Sequence, residues 1–194
     1  MSSAGAIRAE QDLTLAKQCV GGDRKAQRAL FAEHRNHVHG VLHRIFGSNA
    51  GIDDAIQETF VEVFKSLPTY RGEAALGTWI HKCAVRVAYA HLAKRSKTIR
   101  LELVDTGRSE PSLEDIAHAR EATRRLYRSL DKLSPALRIA FTLATLEGRP
   151  LKEVSELMQT SVVATKVRVW RAQRQVEAMA KADPVLSHYV EEGR

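Results

Sequence analysis

Asp53-Asp54-Ala55-Ile56-Gln57-Glu58-Thr59-Phe60 begins a segment that runs on to Thr78-Trp79. Around it Ile52, Ile56, Phe60, Val63 and Leu67 recur at steps of four, four, three and four residues, the period of a helix with one buried side. Asp54, Glu58 and Glu62 repeat at steps of four on the other side. Like charges at that spacing cost an isolated helix roughly a few tenths of a kcal/mol per pair. Asp53 and Asp54 recover part of this at the positive helix N-terminus, whereas Glu58 and Glu62 lie beyond it and are expected to stay uncompensated. The strip is also out of keeping with its chain. Gly51 to Phe64 holds four carboxylates and no Lys or Arg, in a protein of formal net charge +7.

Downstream, Pro68 ends this helix, and Thr69 to Gly77 reads as a loop carrying Tyr70, Arg71 and two glycines. A new helix is expected from near Thr78 to about Lys97. Ala74 to Leu101 has no acidic residue but contains Lys82, Arg86, Lys94, Arg95, Lys97 and Arg100, so the charge changes sign across the loop. Aromatics beside Arg can stack on unpaired bases while cations follow the phosphates. The plainer alternative makes Trp79 a core residue and Tyr70 a surface aromatic.

Upstream, Asp12 to about Gly21 reads as a helix with Leu13, Ala16 and Val20 on one side, broken by Gly21-Gly22. Asp23 can cap a second helix, Arg24 to Phe46, whose apolar residues Ala26, Leu30, Val38, Leu42, Ile45 and Phe46 keep the helical period. Gly47 ends it, and Ser48 or Asn49 can cap the next helix. His34, His37, His39 and His43 share the second helix. His39 and His43 have a spacing able to chelate zinc, but no nearby Cys or carboxylate completes a familiar ligand set.

Ser96 to about Ser112 has little periodicity and holds Thr106-Gly107-Arg108-Ser109-Glu110-Pro111, a linker signal. A second helical unit comes after it. Ile116 to Leu133 gives one helix, Ser134-Pro135 starts another that Gly148 closes, and no strand pattern emerges. Pro150 to Met158, the turn Gln159-Thr160-Ser161 and Val162 to about Ala180 have the proportions of a helix-turn-helix. Thr165, Val169, Ala172 and Val176 would face inward, leaving Lys166, Arg168, Arg171, Arg174 and Gln175 outward or at the flanks. Arg and Gln are able to read guanine and adenine edges in a major groove, although many exposed helices are simply basic. The chain after Pro184 is expected to be frayed or loosely docked.

A length of 194 residues accommodates one large or two small domains. The net charge, with a pI near 9.6, favours an anionic partner, nucleic acid or membrane surface. No apolar run approaches the ~18 residues of a membrane span, and Met1 to Gln11 lacks a signal-peptide core, so a cytoplasmic protein without membrane insertion is expected. Cys19 and Cys83 form no paired motif and read as small buried hydrophobes. No nucleophile elbow, phosphate loop or dinucleotide fingerprint occurs, and neither an enzyme nor a cofactor is indicated.

Four motifs in order resemble the extracytoplasmic-function (ECF) type of bacterial sigma factor, in the sigma-70 family. They are Gly22-Asp23 with Ala26 and Phe31; Asp53 to Phe60, similar to a D-x-x-Q-E-x-F helix; Tyr70-Arg71-Gly72 through Thr78-Trp79-Ile80 and on to His91-Leu92; and Leu130 to Pro135 with Leu146-Glu147-Gly148, Glu153-Val154 and Lys166 to Ala172. The resemblance implies an all-α chain of two small helical domains joined by a flexible linker. A region 2-like domain would span 12–97, a linker 98–115, a region 4-like helix-turn-helix domain 116–182 and a tail 183–194.

By the same resemblance Asp53, Asp54, Gln57, Glu58 and Glu62 would dock core RNA polymerase at its β′ clamp helices. Residues 67–76, with Tyr70, Arg71 and Gly72, would hold a flipped −10 base, and Trp79, Lys82 and Arg86 would line the melted strand. Lys166, Arg168, Arg171, Arg174 and Gln175 would meet the −35 duplex, the second domain would touch the β-flap, and an anti-sigma factor is implied as a further partner. Some positions depart from the family pattern. Arg86 stands where Asn is usual, Ala90 where Asp or Asn precedes His-Leu, Val162-Val163-Ala164-Thr165 where an acidic residue, Gly, Thr and Val are more common, and Ala75-Leu76-Gly77 lacks an aromatic before Thr-Trp. The competing function is a stand-alone helix-turn-helix regulator, which has no need of an acidic strip beside a basic helix. A zinc enzyme built on the histidines lacks a complete ligand set.

Overall fold

The computed structural model describes residues 3–98 and 113–191. Every regular element among them is helical, and the chain divides into two compact units, Met1–His91 and Leu92–Arg194. The linker expected over 98–115 lies mostly outside the described residues.

In the first unit α1 (Ser3–Val20) packs on α2 (Arg24–Phe46), which packs on α3 (Ile52–Ser66). α1 starts well before the expected Asp12. Asp23 caps α2, its carboxylate accepting from the backbone N–H of Lys25 and Ala26. Gly47 closes that helix at φ 70°, where a Cβ would be strained. Neither Ser48 nor Asn49 caps α3; Gly51 occupies that position in a left-handed conformation and offers no side-chain bond. A single 3-10 turn, Leu67–Thr69, leads to a loop and then α4 (Leu76–Thr98), which begins two residues before the expected Thr78. Leu30, Val38, Val41, Leu42, Ile45, Val63, Leu76 and Ile80 are the innermost apolar side chains here. Cys19 and Cys83 are buried and free, and burial pushes both thiols up, away from the reactive thiolate.

The second unit is built of α5 (Leu113–Leu130), α6 (Pro135–Phe141), α7 (Leu151–Leu157), α8 (Val162–Lys181) and α9 (Leu186–Glu191). Leu130, Leu133, Phe141, Ala172 and Val176 form its core, with Leu126, Tyr127, Leu137 and Met179 against them. α6 runs directly into a π-type turn, Thr142–Leu146, that buries Thr142 and Leu143. The segment after Pro184 differs from expectation, because α9 packs on α8 and α5 and buries Leu186. Asp183 makes this possible. It accepts from the N–H groups of Val185 and Leu186, and it pairs with Arg125 of α5 at 3.2 Å.

Candidate functional site

α3 owes its two faces to its period. Ile52, Ala55, Ile56, Thr59, Phe60 and Val63 are buried, and the Thr59 hydroxyl is satisfied by the carbonyl of Ala55 at 2.7 Å. Asp53, Asp54, Gln57 and Glu58 are exposed and Glu62 is half-buried. The structure corrects the expectation that Glu58 and Glu62 stay uncompensated. Glu58 Oε2 lies 2.8 Å from His91 Nε2, and Glu62 lies 3.6 Å from the guanidinium of Arg86, both on α4. Between these pairs runs a groove of about 640 Å³ lined by Asp54, Gln57, Glu58, Val61, Glu62, Arg86, Val87, Ala90 and His91. Val61 is 45% exposed within it, an apolar side chain set among carboxylates. Neither Val61 nor His91 belongs to the expected docking set; Val61 is apolar on the polar side of the helix, and that was the signal in the sequence.

Arg86 is therefore placed beside the acidic set, donating also toward Cys83 Sγ at 3.5 Å. It shares one side of α4 with Trp79 and Lys82, seven residues being close to two full turns.

The loop before α4 is tied to α1, which sequence reasoning assigned no role there. Asp12 Oδ2 accepts from the N–H of Leu76 at 2.8 Å, so a carboxylate from another helix caps the start of α4. Gly72 has φ +75°, and a Cβ there would come within 3.0 Å of the Leu13 side chain. Tyr70 donates its hydroxyl to the Ala74 carbonyl at 2.7 Å and packs its ring 5.6 Å from Trp79. Burial, aided by the charge of Asp12, raises the Tyr70 pKa, so the phenol stays a donor. Leu67 and Leu76 are buried, leaving Arg71, Glu73 and Ala75 exposed and Tyr70 and Gly72 half-buried between them. Trp79 and Lys82 are half-buried beyond the loop.

In the second unit α7 and α8 are joined by a turn in which Gln159 adopts φ 51°. Ser161 caps α8, its hydroxyl accepting from Ala164 N–H at 3.1 Å. Thr165, Val169, Ala172 and Val176 are buried, so the expected inward stripe is the one observed. Lys166, Arg171, Arg174 and Gln175 are exposed and Arg168 is half-buried.

The histidines of α2 disperse. His34 is buried with its ring 3.6 Å from where a Cβ on Gly77 would lie, His37 Nε2 meets His81 Nδ1 at 3.3 Å, and His39 stacks on His43 with centroids 6.0 Å apart. Among the described residues no three His, Cys, Asp or Glu side chains converge on one metal position. Burial lowers the pKa of His34, and burial with the neighbouring His39 lowers that of His43.

Comparison with known proteins agrees with this geometry. Residues 30–98 match the family described as Sigma-70 region 2, and residues 123–176 match Sigma-70, region 4. The ECF RNA polymerase sigma-E factor of Haemophilus influenzae is 30% identical over 86% of this chain and 93% of its own length. The RNA polymerase sigma-H factor of Pseudomonas aeruginosa is 27% identical over 91% of this chain and 96% of its own. Two solved structures share the fold. One is CnrH in complex with the cytosolic domain of CnrY, with TM-score 0.61 and 22% identity over 89% of this chain and 98% of that one. The other is the sigma factor RpoE in complex with the anti-sigma factor NepR from Bartonella quintana, with TM-score 0.59 and 16% identity over 80% and 97%. The two-faced α3, the tethered loop before α4 and the capped helix-turn-helix thus coincide with the two matched regions, and the chain belongs to the sigma-70 family as a sigma factor of the ECF type.

Proposed function

We propose that the three surfaces divide the work of promoter selection between them. The acidic groove of α3 and α4, with Asp53, Asp54, Gln57, Glu58 and Glu62, docks core polymerase. The Tyr70-Arg71-Gly72 loop, with Trp79 and Lys82, takes the −10 base and the strand next to it, and Arg86 acts at the border of the two. α8 meets the −35 duplex through Lys166, Arg168, Arg171, Arg174 and Gln175. Residues 12–97 then serve as the polymerase and −10 domain and 116–182 as the −35 domain.

The observation that carries this reading is the α3–α4 pair. One antagonistic arrangement of charge, carboxylates with an exposed valine on α3 and an acid-free α4 led by a tethered aromatic loop, serves two partners of opposite sign. A stand-alone regulator would leave both surfaces without a task. The place of action is the cytoplasm, where polymerase works; no helix among the described residues is long and apolar enough to cross a membrane. RpoE is in complex with an anti-sigma factor in its solved structure, and we extend that mode of control to this chain.

The test is charge reversal. Asp54→Lys with Glu58→Lys should abolish binding to core polymerase while the second unit stays folded and still binds −35 duplex. Normal core binding by that variant would remove the docking assignment.

A further inference from the structure

The helix that carries the −35 cations also presents four large apolar side chains to solvent, Val162 at its first turn and three more that form a line. Val163 is 74% exposed, Val167 42% and Trp170 58%. They fall at steps of four and three residues, and Arg174 extends the line by four more. This line lies on the side of α8 opposite Thr165, Val169, Ala172 and Val176, which are buried. α8 therefore has two apolar faces, and its own unit covers only one. Cations border the other. Lys166 stands on one flank and Arg171 on the opposite flank, both exposed. The Arg174 guanidinium carbon lies 6.0 Å from the centre of the Trp170 ring, within the range of a cation–π contact.

An apolar line bordered by cations matches the floor of a DNA major groove with its phosphates on either side. The apolar group displayed on base edges there is the thymine 5-methyl. Valine suits such a contact, because its branch holds one rotamer in a helix and little freedom is lost on binding. We propose that Val163 and Val167, continued by Trp170, read thymine methyl groups in the −35 duplex. A·T pairs under the N-terminal half of α8 are chosen by apolar contact, while Lys166 and Arg171 hold phosphates or guanine edges. The proposal rests on the assignment of α8 to the −35 duplex given above.

The experiment uses the full chain assembled with core polymerase. The holoenzyme selects promoters from a duplex pool randomised upstream of the −10 element. Each thymine of the selected −35 element is then replaced singly by deoxyuridine, which lacks only the methyl. Loss of a contacted methyl should weaken binding about 3- to 5-fold. A Val163→Ala, Val167→Ala double variant should lose most of the deoxyuridine penalty at the thymines beneath the two valines, while a thymine beneath Trp170 keeps its own. Both positions are exposed and alanine is the better helix former, so folding is not at risk. The proposal is overturned if no deoxyuridine substitution weakens binding, or if the selected elements lack A·T pairs. It is also overturned if the double variant keeps the whole deoxyuridine penalty, as it would were the valines a seat for a protein partner. A failure of the underlying assignment looks different: the pool then shows no upstream preference, and Lys166→Ala with Arg171→Ala binds promoter as the wild type does.

Discussion

At the scale of single residues, Asp12 and Gly72 shape the loop before α4, the first by tying it to α1 and the second by turning against Leu13. The Asp12 carboxylate satisfies the N–H of Leu76 at the start of α4, and it is supplied from 64 residues away. Asp12→Ala should cost about 0.5–2 kcal/mol of stability, the usual worth of a helix cap. It should also slow promoter melting more than it weakens polymerase binding, read as permanganate reactivity of −10 thymines against core affinity. Gly72→Ala should destabilise by about 1–2 kcal/mol from its left-handed backbone alone. Leu13→Ala in the same chain should relieve only the steric part, so thermal unfolding of the pair separates the two effects. His34 supplies a pH dependence. Burial lowers its pKa from 6.5, so the unfolded chain binds the proton more readily than the folded one. Stability should therefore hold above that value and decline as pH falls below it. His34→Gln should flatten the decline in melting temperature.

At the scale of elements, α3 and α9 each depart from what their own sequences suggest. The i,i+4 repulsion along α3 is eased because α4 brings the Arg86 guanidinium to Glu62 and sets the His91 ring within hydrogen-bond distance of Glu58. The acidic face is therefore a stable part of the fold, and single neutralisations such as Glu62→Gln should alter stability little. α9 is latched at its start by Asp183, beside the packing of Leu186. Burial works against ionisation of Asp183, but the N–H groups of Leu186 and Val185 and the Arg125 guanidinium hold its pKa below the ordinary value. The stabilisation this gives is present above the unfolded carboxylate range and is lost as pH falls through the folded pKa. Asp183→Ala should release α9, and amide exchange over residues 186–189 should accelerate with little change in α7 and α8. An unchanged exchange rate would show that Leu186 alone retains the helix.

At the scale of the whole molecule, the protein is a sigma factor: it directs polymerase to promoters and carries out no catalysis itself. Its net charge of +7 is not spread evenly but interrupted by the α3 strip. The free protein should bind promoter duplex weakly and with steep salt dependence, since phosphate contacts dominate such binding. Specific transcription should begin only when core polymerase is added. Tight, sequence-specific repression without polymerase, measured by gel shift and run-off transcription, would be incompatible with this division of labour.

The all-helical class, the two faces of α3 and α8, the cap at Asp23, the stop at Gly47 and the family were all legible in the residues alone. Period, local capping and short motifs set them, and these act within about two turns of chain. The residues alone could not reveal that Asp12 caps α4, that Leu13 seats Gly72, that Glu58 and Glu62 find His91 and Arg86, or that Asp183 latches α9 to Arg125. Those contacts join groups distant in the chain and depend on how helices pack. Nor did the sequence mark Val163, Val167 and Trp170, because an apolar stripe has the same period whether it is buried or exposed. The residues pointed to the buried stripe of α8, but that the second stripe stays uncovered was settled by the packing of α6 and α7 against the first side alone.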